Sequence, residues 1–490
     1  MLFYSYSFIF IFFPLVFIIS YFVLKINQPI YLFFLTLSSL IFYILWRFSD
    51  IYLLLFSIVV NYLLGKKLQK NKDKLWLSLG VSINLALLFW FKYAYFFNDL
   101  SLTIFGYGFN IQKLALPLAI SFYTFEQIAY LVDNYKKIII KHTFFDYLFL
   151  ISFFPRLIAG PIIQPRNMLS QIKNKINITV ENLSVGLTIF VIGLFKKTII
   201  ADYFSGFVDQ AFLAYKTASF HPHFIQAWSS ALAYAFQLYF DFSGYSEMAI
   251  GLGIIFGLKL PINFNSPYKS QSIVEFWRRW HISLSSFLKD YLYIPLGGNK
   301  KGEMHKYLNL MIVMVIGGLW HGANVTFLVW GFIHGSLLVI NHLWDYLVKK
   351  FQIKIREFPL YKHFCWLLTF CFILIAWIYF RSENLTVANK VVLAMLGDSG
   401  TFKLKGVFTF HFYFSAMATF LFCILAPNTL QWMRYSFPDN EINSQVTLQQ
   451  TPLYWRPHII NAVMVTILLF WSLTATFSLN IQAPFVYFNF

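Results

Sequence analysis

Apolar runs, each close to the length of a membrane-crossing helix, recur from one end of this chain to the other. They include residues 8–24, 75–97, 183–200, 363–380 and 459–476, where an apolar helix needs about 20 residues to cross a bilayer. With short and interrupted segments included, the pattern gives roughly 11 to 13 candidates. It predicts an all-α polytopic integral membrane protein.

Basic residues collect between the runs and set an orientation. Residues 1–24 and 98–112 contain no Lys or Arg, whereas 65–74 carries Lys66, Lys67, Lys70, Lys72 and Lys74. Lys136, Lys137 and Lys141 follow the next run. Basic loops stay on the cytoplasmic side. Crossings at 5–24, 30–47, 51–64, 75–97 and 114–132, with a basic loop over 65–74, then place the N-terminus outside. Beyond the basic loop at 349–356, three further spans at 363–380, 408–426 and 459–476 leave the C-terminus outside as well. The 381–407 loop, assigned outside, carries four basic residues and fits this rule less well.

Between about 144 and 335 the apolar segments are interrupted by Pro155, Gly160, Pro161, Pro165, Gly244, Pro261, Pro267 and Pro295. Irregular backbone at membrane depth is tolerated only where it is buried in protein or lines a watery cavity. The expectation is therefore a set of transmembrane and re-entrant helices around a central funnel or tunnel; ordinary loops between tidy spans are the plainer alternative. Three regions follow: N-terminal spans at 1–113, a core with re-entrant segments at 114–347, and C-terminal spans with an aromatic tail at 348–490.

Composition narrows the class. Only 12% of residues are charged, about half of what a soluble domain carries. The net charge of +18 sits in loops and reads as attraction to anionic lipid, not as a nucleic-acid platform. Cys365, Cys371 and Cys423 lie inside apolar segments without zinc or redox spacing, as small hydrophobes. The first 24 residues lack a basic leader and a small-residue cleavage site, and read as a retained span.

Two of the 11 histidines draw attention. His321 lies in Gly317-Gly318-Leu319-Trp320-His321-Gly322-Ala323-Asn324, which continues through Trp330-Gly331 to His334-Gly335. An ionisable group inside an apolar segment is costly and is a functional candidate by default; a neutral imidazole there can accept the proton of an attacking hydroxyl. A core histidine satisfied between helices fits the same pattern. His281 follows Glu275-Phe276-Trp277-Arg278-Arg279-Trp280. Helical spacing puts Trp277, His281, Leu284, Leu288 and Tyr291 on one face of an interfacial amphipathic helix, with Glu275 and Arg279 spaced as an i,i+4 pair. Asp241 and Glu247, in Tyr239-Phe240-Asp241-Phe242-Ser243-Gly244-Tyr245-Ser246-Glu247, and Glu126 are acids that orient a histidine, line a polar tunnel, or sit in a turn near water. No three-ligand metal motif is visible; His221-Pro222-His223 has no third partner nearby.

Phe154-Pro155-Arg156-Leu157-Ile158-Ala159-Gly160-Pro161-Ile162, Asp241-Phe242-Ser243-Gly244-Tyr245, Phe276-Trp277-Arg278-Arg279-Trp280-His281 and Leu319-Trp320-His321-Gly322 occur in the order found in membrane-bound O-acyltransferases. The chain resembles the bacterial branch of that family, which O-acetylates alginate, other surface polysaccharides or peptidoglycan. The resemblance implies that His321 is the catalytic residue within a membrane-embedded tunnel and that His281 is a second functional position. Trp277, Arg279, Trp320, Asn324, Asp241 and Glu247 then become tunnel or supporting residues. It further implies that acetyl-CoA is the cytoplasmic donor and not a bound cofactor, with a separate extracytoplasmic transferase and a polysaccharide acceptor as partners, in the bacterial inner membrane. Arg156 departs from the pattern, where an uncharged residue such as Gln is expected. The ending Pro484-Phe485-Val486-Tyr487-Phe488-Asn489-Phe490 resembles the Tyr-centred tail of the same branch. It makes Tyr487 a candidate acyl relay, with an aromatic membrane anchor as the alternative. D-alanyl transfer to teichoic acid and a membrane transporter are the competing readings of the whole chain.

Overall fold

The computed structural model describes residues 1–112, 114–398, 400, 407–435, 454–478 and 484–486. Among the described residues helices dominate and no strand occurs. That is the expected solution for a chain of this composition, since a helix satisfies its own backbone in lipid. Seven helical stretches among the described residues are long and apolar enough to cross a membrane: Ser7–Ile26, Asp50–Lys70, Lys74–Phe105, Val180–Tyr215, Val325–Lys350, Tyr361–Arg381 and Ile459–Phe477. Gln28–Ile44, Leu385–Met395 and Phe410–Leu425 are shorter apolar helices. Large side chains such as Ile11, Phe22, Phe414 and Phe470 point outward from these helices, as lipid-facing residues must.

Several expectations are corrected. The basic 65–74 segment is not a loop: Asp50–Lys70 stays helical through Lys66 and Lys67, and cations in a last turn complement the helix dipole. The 114–132 crossing begins only at Ile120, after Ala119 in a left-handed conformation. The resulting helix, Ile120–Tyr135, is buried along most of its length, including Glu126, Gln127, Asp133 and Asn134. Gly244 does not interrupt its segment. It lies within the continuous helix Phe224–Ile255, where its missing side chain admits a neighbouring backbone. Asp241 and Glu247 are therefore helical residues and not part of a turn.

The chain forms two compact units. The first comprises Met1–Val191 and Tyr245–Ile262. Polar residues join its helices as they do in lipid: Ser57 Oγ donates to Gln127 Oε1 at 2.6 Å, and Asn84 Nδ2 donates to Asn61 Oδ1 at 2.6 Å. Short helices Phe144–Ser152, Phe154–Leu157 and Pro165–Lys173 replace a clean span, and the irregular backbone around 158–163 is buried in protein. Arg156, the departure noted above, forms a buried ion pair with Glu126. The charge at 156 thus has a partner that one of the sequence's unassigned acids supplies.

The second unit contains Ile192–Gly244 and most of the described chain after Asn263. Its centre is a hairpin of Glu303–His321 and Val325–Lys350, joined by a three-residue turn. The two helices approach so closely that a Cβ on Gly318 would lie 2.2 Å from the Phe327 carbonyl oxygen, and one on Gly331 would lie 2.4 Å from that of Met314. Small residues at these positions let the backbones meet. Asn324 caps the second helix, its side chain accepting from Thr326 N–H at 3.0 Å, and its Nδ2 donates to the Glu383 carbonyl at 2.7 Å. It holds the turn.

Candidate active site

The hairpin ends its first helix on His321. That residue is 5% exposed and packed among Trp320 at 5.0 Å, Trp330 at 5.2 Å and Phe380 at 5.1 Å between ring centroids. The imidazole of His281 lies 6.3 Å away. Trp320 adjoins both rings, its centroid 6.0 Å from that of His281.

His281 is placed by a break in the helix, contrary to the continuous amphipathic helix expected over 277–291. Ile273–Arg279 ends, Trp280 is extended, and His281 adopts φ 43° and ψ 53° before Ile282–Leu288 begins. A left-handed conformation costs a residue with a Cβ about 1–3 kcal/mol, so the surroundings must impose it. They do so from both sides: Asn265 N–H donates to the Arg279 carbonyl and Ile282 N–H to the Asn263 carbonyl, both at 3.0 Å. Asn263 Oδ1 also accepts from Ser283 Oγ at 2.6 Å. The break turns His281 inward to full burial, with Phe242 edge-on at 4.7 Å.

Arg279 works on the same clamp. Its Nε donates to Glu275 at 2.9 Å, the spacing the sequence anticipated, and its Nη1 donates to the Asn265 carbonyl at 3.0 Å. Trp277 adjoins Trp330 at 5.8 Å and His334 at 5.3 Å. Asp241 pairs with Lys197 at 2.8 Å and accepts from the Val486 N–H at 2.8 Å. Glu247 is buried and belongs to the first unit. Tyr487 lies outside the described residues, but the three preceding residues are described. Phe485 is buried, 6.1 Å from Phe242.

Sequence reasoning assigned no role to His334 or Lys197. His334 is fully buried, 4.6 Å from Trp330 and stacked on Phe276 at 6.2 Å. Neither of its nitrogens has a hydrogen-bond partner among the described residues. Its signal was available: Trp330 and His334 share a helix face at i,i+4. So was that of Lys197, which with Lys196 interrupts an apolar run.

A separate cavity of about 380 Å³ lies in the second unit, lined by Phe195, Lys196, Tyr239, Asn428, Thr429 and Trp432 among others. Neither His281 nor His321 lines it. No group of three or more His, Cys, Asp or Glu side chains among the described residues is arranged to hold a metal. What the centre offers is two buried imidazoles, their ring centroids 6.3 Å apart, the residue type that takes up and returns protons in acyl transfer.

A family model of the membrane-bound O-acyltransferases matches residues 111–385. A peptidoglycan O-acetyltransferase of Helicobacter pylori is 45% identical over 427 residues, covering 80% of this chain and 79% of that protein. A probable alginate O-acetylase, AlgI, of Pseudomonas putida is 38% identical over 476 residues, covering 93% of this chain and 94% of its own length. Similarity to a teichoic acid D-alanyltransferase of Streptococcus thermophilus is lower, 27% over 48% of this chain and 58% of the relative.

Proposed function

Given that the chain belongs to the membrane-bound O-acyltransferase family, we propose that it takes an acetyl group from cytoplasmic acetyl-CoA and passes it across the membrane. The acetyl group is destined for hydroxyls of a cell-surface glycan. Peptidoglycan is the leading acceptor, because the relative at 45% identity carries that name; alginate-like polysaccharide follows from the relative at 38%. The protein works in a bacterial inner membrane with both termini outside, beside an extracytoplasmic transferase that completes delivery.

The observation that carries the reading is the burial of His281 and His321 together, 6.3 Å apart. His321 takes the proton of the attacking hydroxyl as its oxygen bonds to the acetyl carbonyl carbon. The carbon–sulfur bond to coenzyme A then breaks, and the thiolate leaves with the proton held by His321. His281 binds or positions the acyl group from the opposite side. The hydroxyl is the phenol of Tyr487. A phenol accepts an acyl group when a base removes its proton and leaves well afterwards, so the glycan hydroxyl next takes the acetyl and restores the tyrosine. The position of Phe485, against the Phe242 that flanks His281, supports this role for the residue two places on.

The test is made in cells. His321→Ala should abolish glycan O-acetylation, and Tyr487→Phe should do the same while keeping the ring. Normal acetylation in His321→Ala cells would overturn the reading. Normal acetylation in Tyr487→Phe cells alone would remove only the relay and leave the tail as an anchor.

A further inference from the structure

The last described residues do not trail off the protein; they are held by a buried charge. Asp241 Oδ2 accepts from the backbone N–H of Val486 at 2.8 Å. Its other oxygen is 2.8 Å from Lys197 Nζ, and the same Nζ reaches Asp202 Oδ1 at 2.7 Å. Lys197 and Asp241 are both buried. Bringing these charges out of water is expensive, and an apolar substitute often serves stability as well. A role beyond stability is therefore the natural account of them.

We propose that Lys197 and Asp241 form a socket that holds the C-terminal tail in register at the active site, as positioning residues for the acyl carrier. The inference rests on the relay reading for its purpose, but not for its geometry. Three features build the socket. Lys197 sits in a π-helical turn, Lys196–Ala201, an irregularity that recurs at functional positions and widens the helix where the lysine turns inward. Gly244, one turn from Asp241, lets its helix pack directly on the Gly193 carbonyl, 2.6 Å from where a Cβ would stand. That close approach is what brings Lys197 within reach of Asp241. Phe242, next to Asp241, then receives the Phe485 ring.

The division of labour is specific. Asp241 reads only a backbone N–H, so it fixes the tail along its length whatever side chain follows. Phe485 fixes its depth. Lys197 orients Asp241 through their ion pair, and Asp202 anchors Lys197. Val486 is thereby pinned by its amide beside Phe242, the ring that flanks His281.

Hydrogen–deuterium exchange on the purified full-length protein tests the socket without reading activity. A hydrogen bond to a charged acceptor should slow exchange of the Val486 amide by about tenfold or more. Asp241→Ala removes the acceptor and leaves Lys197 paired with Asp202; it should abolish that protection, as should Lys197→Met. Tyr487→Phe should retain it, so the socket is tested even if the relay fails. The proposal is overturned if the Val486 amide of the unmodified protein exchanges freely, or if protection survives in both Asp241→Ala and Lys197→Met. Should those two variants not fold, Val486→Pro removes the N–H donor and leaves Lys197, Asp241 and Asp202 unaltered. Exchange of the remaining tail amides must then rise about tenfold over Val486→Ala, and equal exchange overturns the socket.

Discussion

His281 and His321 reach the same buried centre by opposite means, their rings 6.3 Å apart. His321 ends a regular helix, whereas His281 stands where a helix is broken by a left-handed residue. The first needs only a close helix hairpin; the second needs a clamp that holds strained backbone.

The clamp makes a prediction about residue type. Asn is, after Gly, one of the residues that most readily visit the left-handed region, its short side chain bonding locally, so His281→Asn should fold at least as well as the unmodified protein. It should nevertheless lose at least about 10²-fold in transfer, the range associated with loss of an acid–base group. Melting temperature and single-turnover rate, measured together, decide the matter. A variant that is less stable but still active would show His281 to be a packing residue.

Asn263→Ala removes the side chain that accepts from Ser283 and so loosens the clamp on His281, with neither histidine itself replaced. Its expected effect is a fall in kcat of roughly tenfold or more with little change in KM for the donor, as misplacement of a reacting group produces. Steady-state kinetics in reconstituted vesicles would show it. A pure KM effect would place Asn263 in donor binding instead.

His334 is a buried imidazole among Phe276, Trp277 and Trp330, with no hydrogen-bond partner among the described residues. Replacing an unsatisfied polar group by an apolar one of similar size is close to neutral for stability. His334→Leu should therefore melt within a few degrees of the parent, and a fall in transfer of about tenfold or more is expected if the imidazole meets substrate or water. Full activity in this variant would mark His334 as packing only.

Arg156 and Glu126 can be tested as a pair. Removing one partner of a buried ion pair costs about 3–5 kcal/mol because the other charge is stranded. Arg156→Gln should accordingly be strongly destabilised, and adding Glu126→Gln should recover most of the loss. Equilibrium unfolding in detergent measures the coupling; additive losses would mean that the two residues act independently.

How much of this was visible in the residues differs by scale. Helical class and most spans follow from apolar length, because lipid leaves the backbone no alternative; 51–64 and 363–380 fall within Asp50–Lys70 and Tyr361–Arg381. The candidate histidines were legible as ionisable groups in apolar surroundings. The break at His281 was not. Its local sequence has a good helical period, and the force that breaks the helix comes from Asn263 and Asn265, residues outside the helix. Gly244 misled in the other direction, since a glycine that admits a neighbouring backbone looks the same in sequence as one that ends a helix. The partnership of Arg156 with Glu126 and that of Lys197 with Asp241 are long-range, and pairing of distant charges is not written in local periodicity.

Activation by His321 of a hydroxyl on this protein, to receive an acetyl group from acetyl-CoA, can be followed directly. The most direct measurement incubates purified protein with acetyl-CoA labelled in the acetyl carbon and locates the label by mass spectrometry after rapid quenching. Label is expected on the C-terminal peptide at Tyr487 in the unmodified protein, and none there in His321→Ala or Tyr487→Phe. Label on that tyrosine at the normal rate in His321→Ala would contradict it.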